Sequence, residues 1–264
     1  MYVFHRTILL VFITLLVHGQ CCSQYNEVVR TGRPGQAIGP YAVGANVFQL
    51  QSGIQYGQID RDEVEQRYLE PGTVIRYGIG RSWEVNTFWA WRRQRTLNGD
   101  DGVTSSGVAA SAIGFRTNLC DGHGDLPALG FQFSMKLPIR SDVGSDATGP
   151  NPRYILTASK KIAEQWGVLL NIGGDHNEWT TDPEWLYVVN VNYSINAKWS
   201  TFLENYATFG NGYSGHWDTG VSYLANNDLQ WDIYGGGDAN NGHTDLFMNL
   251  GLSYRFLTRH KQAP

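Results

Sequence analysis

Several groups of side chains in this sequence have types and spacings that could do chemistry. Arg76, Glu84, Arg92, Arg116, Lys136, Glu204, Asp218, Asp232 and Arg255 each stand on the polar side of a segment that alternates apolar and polar residues. Both signs of charge are present. Facing a lumen, they could line a polar passage and bias which solutes cross. They could equally pair across a narrow interior and fill it, and the sequence leaves both readings open. Ser214 and His216 are two apart, and His176 sits beside Asp175 and Asn177. Acyl hydrolysis would need a nucleophilic Ser beside a His held by Asn or Asp. Residues i and i+2 of a strand share a face but need not touch, and no glycine-flanked Ser-His signature is present. Asp175 with Asp182, or Asp100 with Asp101, could hold Ca²⁺, but loop carboxylates are ordinarily only solvated. No catalytic residue, cofactor or metal site is therefore expected.

The elements that must position these residues are strands. Asp245–Phe256 places Leu246, Met248, Leu250, Leu252, Tyr254 and Phe256 on one side, and Phe247, Asn249, Gly251, Ser253 and Arg255 on the other, mostly polar side. Successive strand residues point to opposite faces, so this segment has one unbroken apolar face. At roughly ten residues it is long enough to cross a bilayer as a tilted strand. The same alternation marks Gly44–Tyr56, Gly72–Ile79, Trp83–Gln94, Ser105–Leu119, Leu129–Leu137, Arg153–Ile162, Trp166–Asp175, Trp185–Ile195, Trp199–Phe209, His216–Leu224 and Leu229–Gly237. The total is about twelve strands, an even number, as in single-chain bacterial barrels. Short connections near Gly80, Glu164, Ala197 and Asn227 alternate with longer polar ones near Asp60, Asn98, Gly144, Thr181, Gly212 and Asn241. Short turns on one rim and long loops on the other match periplasmic and extracellular connections. Leu119–Pro127 is the exception, a short-side connection that is long.

Composition agrees. The 264 residues include 31 Gly, 13% aromatic and only 17% charged side chains, which suits glycine-kinked strands and a sparsely charged surface. The net charge of -4 and the lack of a basic patch argue against nucleic acid as a partner. Mean hydropathy is -0.32, and beyond the N-terminus no apolar run approaches helix-spanning length. A membrane-spanning form must then be a barrel. His5 and Arg6 before the apolar run Ile8–Val17, with small and polar residues after it, have the order of a secretory signal peptide. Cleavage is expected before Gln24; acylation at Cys21 is the alternative, although His18, Gly19 and Gln20 make a poor lipobox. Cleavage leaves only Cys120, so no internal disulfide can form. Residues 24–43, rich in Gly and Pro without a period, are read as an extended periplasmic leader.

Trp83, Trp166, Trp185, Trp199, Trp217 and Trp231 fall near strand ends, where amphipathic rings collect at the headgroup level. A soluble β-sandwich or lipocalin-like barrel would show the same alternation with inside and outside exchanged. The two are told apart by whether Leu250, Phe131 and Val189 face out and Gln132 and Asn190 face in. Charges on a lipid face cost roughly 2–4 kcal/mol each near the midplane, so the charged faces are assigned inward.

Thr31-Gly-Arg33-Pro34-Gly-Gln36, Ile75-Arg76-Tyr77-Gly78-Ile79 with Trp83-Glu84-Val85, Trp199-Ser-Thr-Phe-Leu-Glu204, Trp217-Asp-Thr-Gly-Val-Ser-Tyr223 and Gly251-Leu-Ser-Tyr-Arg-Phe256 occur in that order. On these motifs the mature chain resembles the family of outer-membrane barrels associated with the MetA pathway of phenol degradation. The resemblance implies a Gram-negative, porin-like transporter for small, aromatic or phenolic compounds. It departs at the C-terminus, where Leu257–Pro264 follow the final aromatic. The expectation is an all-β chain: a signal peptide at 1–23, a leader at 24–43, a transmembrane antiparallel up-and-down β-barrel at 44–256 and a tail at 257–264. Its partners would be outer-membrane lipid, the barrel-assembly machinery during insertion, and small solutes. The alternatives are a closed-lumen structural or surface-interaction barrel and a lipid-modifying enzyme.

Overall fold

The computed structural model describes residues 28–61, 64–98, 101–139, 141–143, 149–176, 183–210, 212–240 and 243–257. The signal-peptide reading at 1–23 and all but the first residue of the tail lie outside them. The strands are β1 (Val47–Arg61), β2 (Val64–Gly78), β3 (Trp83–Asn98), β4 (Asp101–Cys120), β5 (Ala128–Lys136) and β6 (Asn151–Lys161). They continue as β7 (Trp166–Asp175), β8 (Glu184–Ser194), β9 (Trp199–Phe209), β10 (Tyr213–Asn226), β11 (Leu229–Asn240) and β12 (His243–Leu257). Each strand pairs antiparallel with its neighbours in sequence, and β1 pairs with β12 to close the barrel. Closure leaves no unpaired sheet edge, the condition for a sheet to sit in lipid.

The two faces divide as alternation requires. Leu250 is 59% exposed, Ile172 61% and Val189 38%, while Asn249 is 7% and Asn190 6% exposed. Trp83, Trp166, Trp199 and Trp231 ring the outer wall near the short turns, and Trp185 and Trp217 stand near the other rim, all exposed. The apolar ribbon is the outer surface, and the soluble alternative would require the reverse. From Trp185 to Tyr193 the apolar side of β8 spans roughly 26 Å along the strand at ~3.3 Å per residue, enough for a tilted strand to cross the hydrocarbon.

The walls differ in height. β1 to β4 have 15, 15, 16 and 20 residues, whereas β5 to β9 have 9, 11, 10, 11 and 11. This corrects the expectation of long polar loops near Gly212 and Asn241, where Phe209 pairs with Tyr213 and Asn240 with His243, and near Asp60 and Asn98. Asp60 and Asn98 are still in the ladder, with Asp60 opposite Glu65 and Leu97 opposite Gly102. Above the bilayer a strand needs no apolar face, so the pairing continues after the alternation has faded. A register shift between Ala90 and Trp91 falls near the start of the tall part of β3, where a bulge locally increases twist.

Residues 28–46 pass inside the barrel, in place of an extended segment outside it. The chain turns into β1 through Gly44 and Asn46, both at positive φ. Gly78 faces this turn, and a Cβ there would lie 1.6 Å from the Gly44 carbonyl oxygen.

Candidate functional site

The site is the lumen, and the segment of residues 28–46 forms a strap around its inner wall. The strap enters by the β10–β11 turn, where the Val29 amide donates to the Asn227 carbonyl at 2.7 Å. The Thr31 and Ser253 hydroxyls meet at 2.7 Å on β12. Arg33 donates to Asp232 on β11 at 2.8 Å and to Asn249 on β12 at 2.6 Å. The Gln36 and Ala37 amides donate to the Glu204 carboxylate on β9 at 2.6 and 3.0 Å. On β7, Asn171 accepts from the Ile38 amide at 2.8 Å and donates to the Ile38 carbonyl at 2.9 Å. Finally, the Val43 amide donates to Glu84 on β3 at 2.9 Å. A segment rich in Gly and Pro forms no ladder of its own, so its buried amides need acceptors from elsewhere. Inward Glu and Asn side chains supply them. Gly251 and Gly53, opposite one another on β12 and β1, leave room for Arg33: a Cβ on Gly251 would lie 2.1 Å from its guanidinium.

The structure sorts the charged residues singled out from the sequence into groups. Arg76 and Glu84 form a bidentate pair with both contacts at 2.7 Å, and they are only 1% and 0% exposed. Arg116 stands 3.8 Å from Glu84 and donates to Gln132 at 2.6 Å. Arg76 also donates to the carbonyls of Arg30 and Tyr41, both in the strap. Glu204 lies directly opposite Asp218 in the β9–β10 pairing, and both carboxyl groups are buried on the same inward face. Asp232 holds Arg33. Arg255 bonds Asp228 at 2.7 Å at the short-turn rim. Towards the other rim Arg92 bonds Glu70 at 2.6 Å and lies over the Tyr68 ring, and Lys136 pairs with Asp175. That last ion pair occupies one of the carboxylates weighed for Ca²⁺; Asp182 and Asp100 lie outside the described residues. Among the described residues no group of three or more His, Cys, Asp or Glu side chains could hold a metal ion.

Sequence reasoning missed the strap as the third partner of these charges. Arg33 was the available signal: with Arg30 it is one of two arginines opening a Gly/Pro segment that has no carboxylate between Arg30 and Asn46. It also missed the aromatic side of the lumen. Phe202 and Tyr234 contact edge to face at 6.4 Å, Tyr234 and Phe247 at 5.9 Å, and the Tyr206 ring stacks on His216 at 5.0 Å. Between the strap and the wall lies a cavity of about 380 Å³, lined by Arg30, Tyr41, Arg116, Asn190, Ser222 and Gln230 among others.

Ser214 and His216 do touch, with Oγ 3.1 Å from Nε2. The carboxylate that would orient the ring, Asp238, is 3.9 Å from Nδ1, beyond hydrogen-bond range. The pair has half of the relay that acyl transfer needs. His176 packs against the Tyr154 ring.

A family model described as "Putative MetA-pathway of phenol degradation" matches residues 31–256. No curated protein matches the sequence. Among solved structures, the COG4313 outer membrane channel from Pseudomonas putida F1 is similar over 86% of this chain and 100% of that one, with TM-score 0.67 and 12% identity. The KdgM porin in complex with disordered oligogalacturonate is similar over 77% and 99%, with TM-score 0.52 and 11% identity. The translocator domain of the autotransporter NalP from Neisseria meningitidis is similar over 81% and 89%, with TM-score 0.50 and 12% identity. At these identities the likeness is one of fold, and that fold is an outer-membrane barrel.

Proposed function

This chain belongs to the family described as the MetA pathway of phenol degradation, and we propose that it is an outer-membrane channel for small solutes with a preference for aromatic, phenolic ones. The observation that carries the reading is the free space beside the strap. The cavity of about 380 Å³ is bounded by strap and wall together. That is within the range of small-molecule sites, so the strap narrows the lumen without filling it. The inner wall is polar, with an aromatic sector on β9 to β12 formed by Phe202, Tyr206, Tyr234 and Phe247. Phe202 and Tyr234 are buried within this sector, while Tyr206 and Phe247 stay partly exposed and can take a planar solute against their rings, and the polar face keeps the route wet. The channel named from Pseudomonas putida and the oligogalacturonate-bound porin, both on this fold, support passage as its use. Arg76, Glu84, Arg92, Arg116, Lys136, Glu204, Asp218, Asp232 and Arg255 line the route or anchor what narrows it. In this reading residues 1–23 direct export and are removed before the assembly machinery inserts the barrel, with the short-turn rim in the periplasm.

The test is conductance of the purified mature protein in planar bilayers, with flux of phenol and of a polar solute of similar size into liposomes. Discrete conductance steps and faster phenol flux are expected. A membrane no more conductive than protein-free lipid, with no flux of either solute, would sink the channel reading.

A further inference from the structure

The outer wall carries a feature that passage through the lumen does not use. On β3 the outward series runs Trp83, Val85, Thr87, Trp89, Trp91, Arg93, Arg95. Trp89 and Trp91 are exposed and end the apolar band. Arg93 and Arg95, the next two outward residues, are also exposed. On β2 the outward series descending from the long-loop rim runs Glu65, Arg67, Leu69. Arg67 is directly opposite Arg95, and Leu69 is opposite Arg93. Three guanidinium groups thus share one face. Arg67 pairs with Glu65, and Asp60 lies further up on β1, opposite Glu65. Like charges directly opposite across a ladder repel and destabilise it. Glu65 and Asp60 lie on the Arg67 side of the cluster and offset two of its three charges, which leaves the excess positive charge at Arg93 and Arg95. On β4 the exposed hydroxyl residues Thr104 and Ser106 stand opposite Arg95 and Arg93, adding uncharged donors to the same face.

We infer that Arg67, Arg93 and Arg95 form a binding site for the phosphorylated headgroup of a membrane lipid in the leaflet on the long-loop side. The position selects a lipid. Trp and Tyr rings mark the level where hydrocarbon gives way to headgroups, and these arginines begin one outward residue above Trp91. A guanidinium matches phosphate oxygens with parallel N–H donors. Its aliphatic stem can lie along the apolar wall while its head reaches the charged layer. A chain with net charge -4 has no general excess of basic residues to account for the cluster. Arg92, between the outward residues Trp91 and Arg93, shows the division: it points inward to Glu70, while its neighbour Arg93 points to the lipid.

The experiment reconstitutes the mature barrel with bisphosphorylated lipid A or with the same lipid after enzymatic removal of its phosphates. Retained lipid is counted by native mass spectrometry. Wild type should retain the phosphorylated form and not the dephosphorylated one. The triple variant Arg67→Gln/Arg93→Gln/Arg95→Gln should bind on the order of a hundredfold more weakly, at about 1 kcal/mol per charge near an anionic surface. Lys160→Gln/Lys161→Gln/Lys198→Gln, which removes three charges near the other rim, should bind as wild type does. Arg93→Lys/Arg95→Lys should recover part of the affinity, since charge is kept and the bidentate geometry lost. Unchanged migration of the unboiled protein on a gel shows that each variant is folded. Equal retention by wild type and the triple variant would overturn the site. So would an equal loss in the lysine variant, which would mark diffuse electrostatics. Displacement of the lipid by millimolar inorganic phosphate alone would overturn the commitment to a lipid. Conductance of the triple variant should be unchanged, because these groups face away from the lumen. A failure here is therefore distinct from a failure of the channel.

Discussion

The two halves of the lumen use the same alternating polar face in opposite ways. In the half near the short turns, the inward side chains are taken up by the chain's own strap: Glu84 by Val43, Glu204 by Gln36 and Ala37, Asp232 by Arg33. In the half near the long loops, inward polar groups bond to one another and remain partly exposed, as Arg92 and Glu70 do, or stand beside aromatic rings, as His216 does. A polar inner wall is thus not in itself a pore lining. What reaches it decides whether it also anchors a partner, and here a half that holds the strap lies below a half whose polar groups bond to one another.

The largest effect that would test this contrast is expected from Glu84→Ala. It leaves Arg76 and Arg116 buried without their carboxylate and removes the acceptor of the Val43 amide. Removing one partner of a buried ion pair costs about 3–5 kcal/mol. Arg92→Gln removes a single-contact Arg–Glu pair from the other half, where both partners are partly exposed, and should cost roughly 0–1 kcal/mol. Urea unfolding midpoints in lipid vesicles measure both. Equal losses would mean that the two halves are not differently built.

Arg33→Ala comes next. It removes the bonds to Asp232 and Asn249 and leaves the Asp232 carboxylate without its counter-charge, at about 1–3 kcal/mol. The cost falls on the strap's attachment more than on the wall, so bilayer conductance should rise and become noisier while the barrel still resists SDS. Conductance identical to wild type would show that the strap does not narrow the route at this point.

These anchors explain how much the sequence could reveal. The ends of β7 and β9 coincide with Trp166–Asp175 and Trp199–Phe209 as read from alternation. In both, the lipid face and the strand are nearly the same length, so the pattern stops where the ladder does. β2 to β4 rise above the lipid, where nothing enforces an apolar face, and their upper parts read as loops. The face assignment was legible because charges in hydrocarbon are costly, which placed Glu84, Glu204 and Asp232 inside before any geometry was known. Apart from Arg33 the strap was not legible, because its attachment to Glu204, Asn171 and Glu84 is made by backbone amides, and those carry no residue-type signature. Glu204 and Gln36 are 168 residues apart, and no local pattern joins them.

A smaller effect is expected from Tyr234→Ala in the aromatic sector. Tyr234 contacts Phe202, Phe247 and the Arg33 guanidinium. Losing an aromatic contact worth about 0.5–1.5 kcal/mol should slow phenol entry into liposomes by a few-fold while leaving a non-aromatic solute of similar size unaffected or faster. A parallel change in both solutes would assign Tyr234 to strap support and remove the basis for aromatic preference.

The smallest expected effect is that of Ser214→Ala. Ser214 Oγ and His216 Nε2 are in contact at 3.1 Å, where the upper lumen approaches catalytic geometry. A serine becomes a nucleophile when its histidine is held in the right tautomer and the developing oxyanion meets preorganised donors. Asp238 at 3.9 Å from Nδ1 is too far to fix the tautomer. The His216 ring is instead held by stacking on Tyr206, which orients its plane without selecting which nitrogen carries the proton. Ser214→Ala should leave both conductance and hydrolysis of a short-chain phospholipid ester at wild-type levels. Ester turnover by the wild type that disappears in this variant would place chemistry in the upper half of the lumen, and the contrast between strap anchoring below and self-paired polar groups above would have to be redrawn.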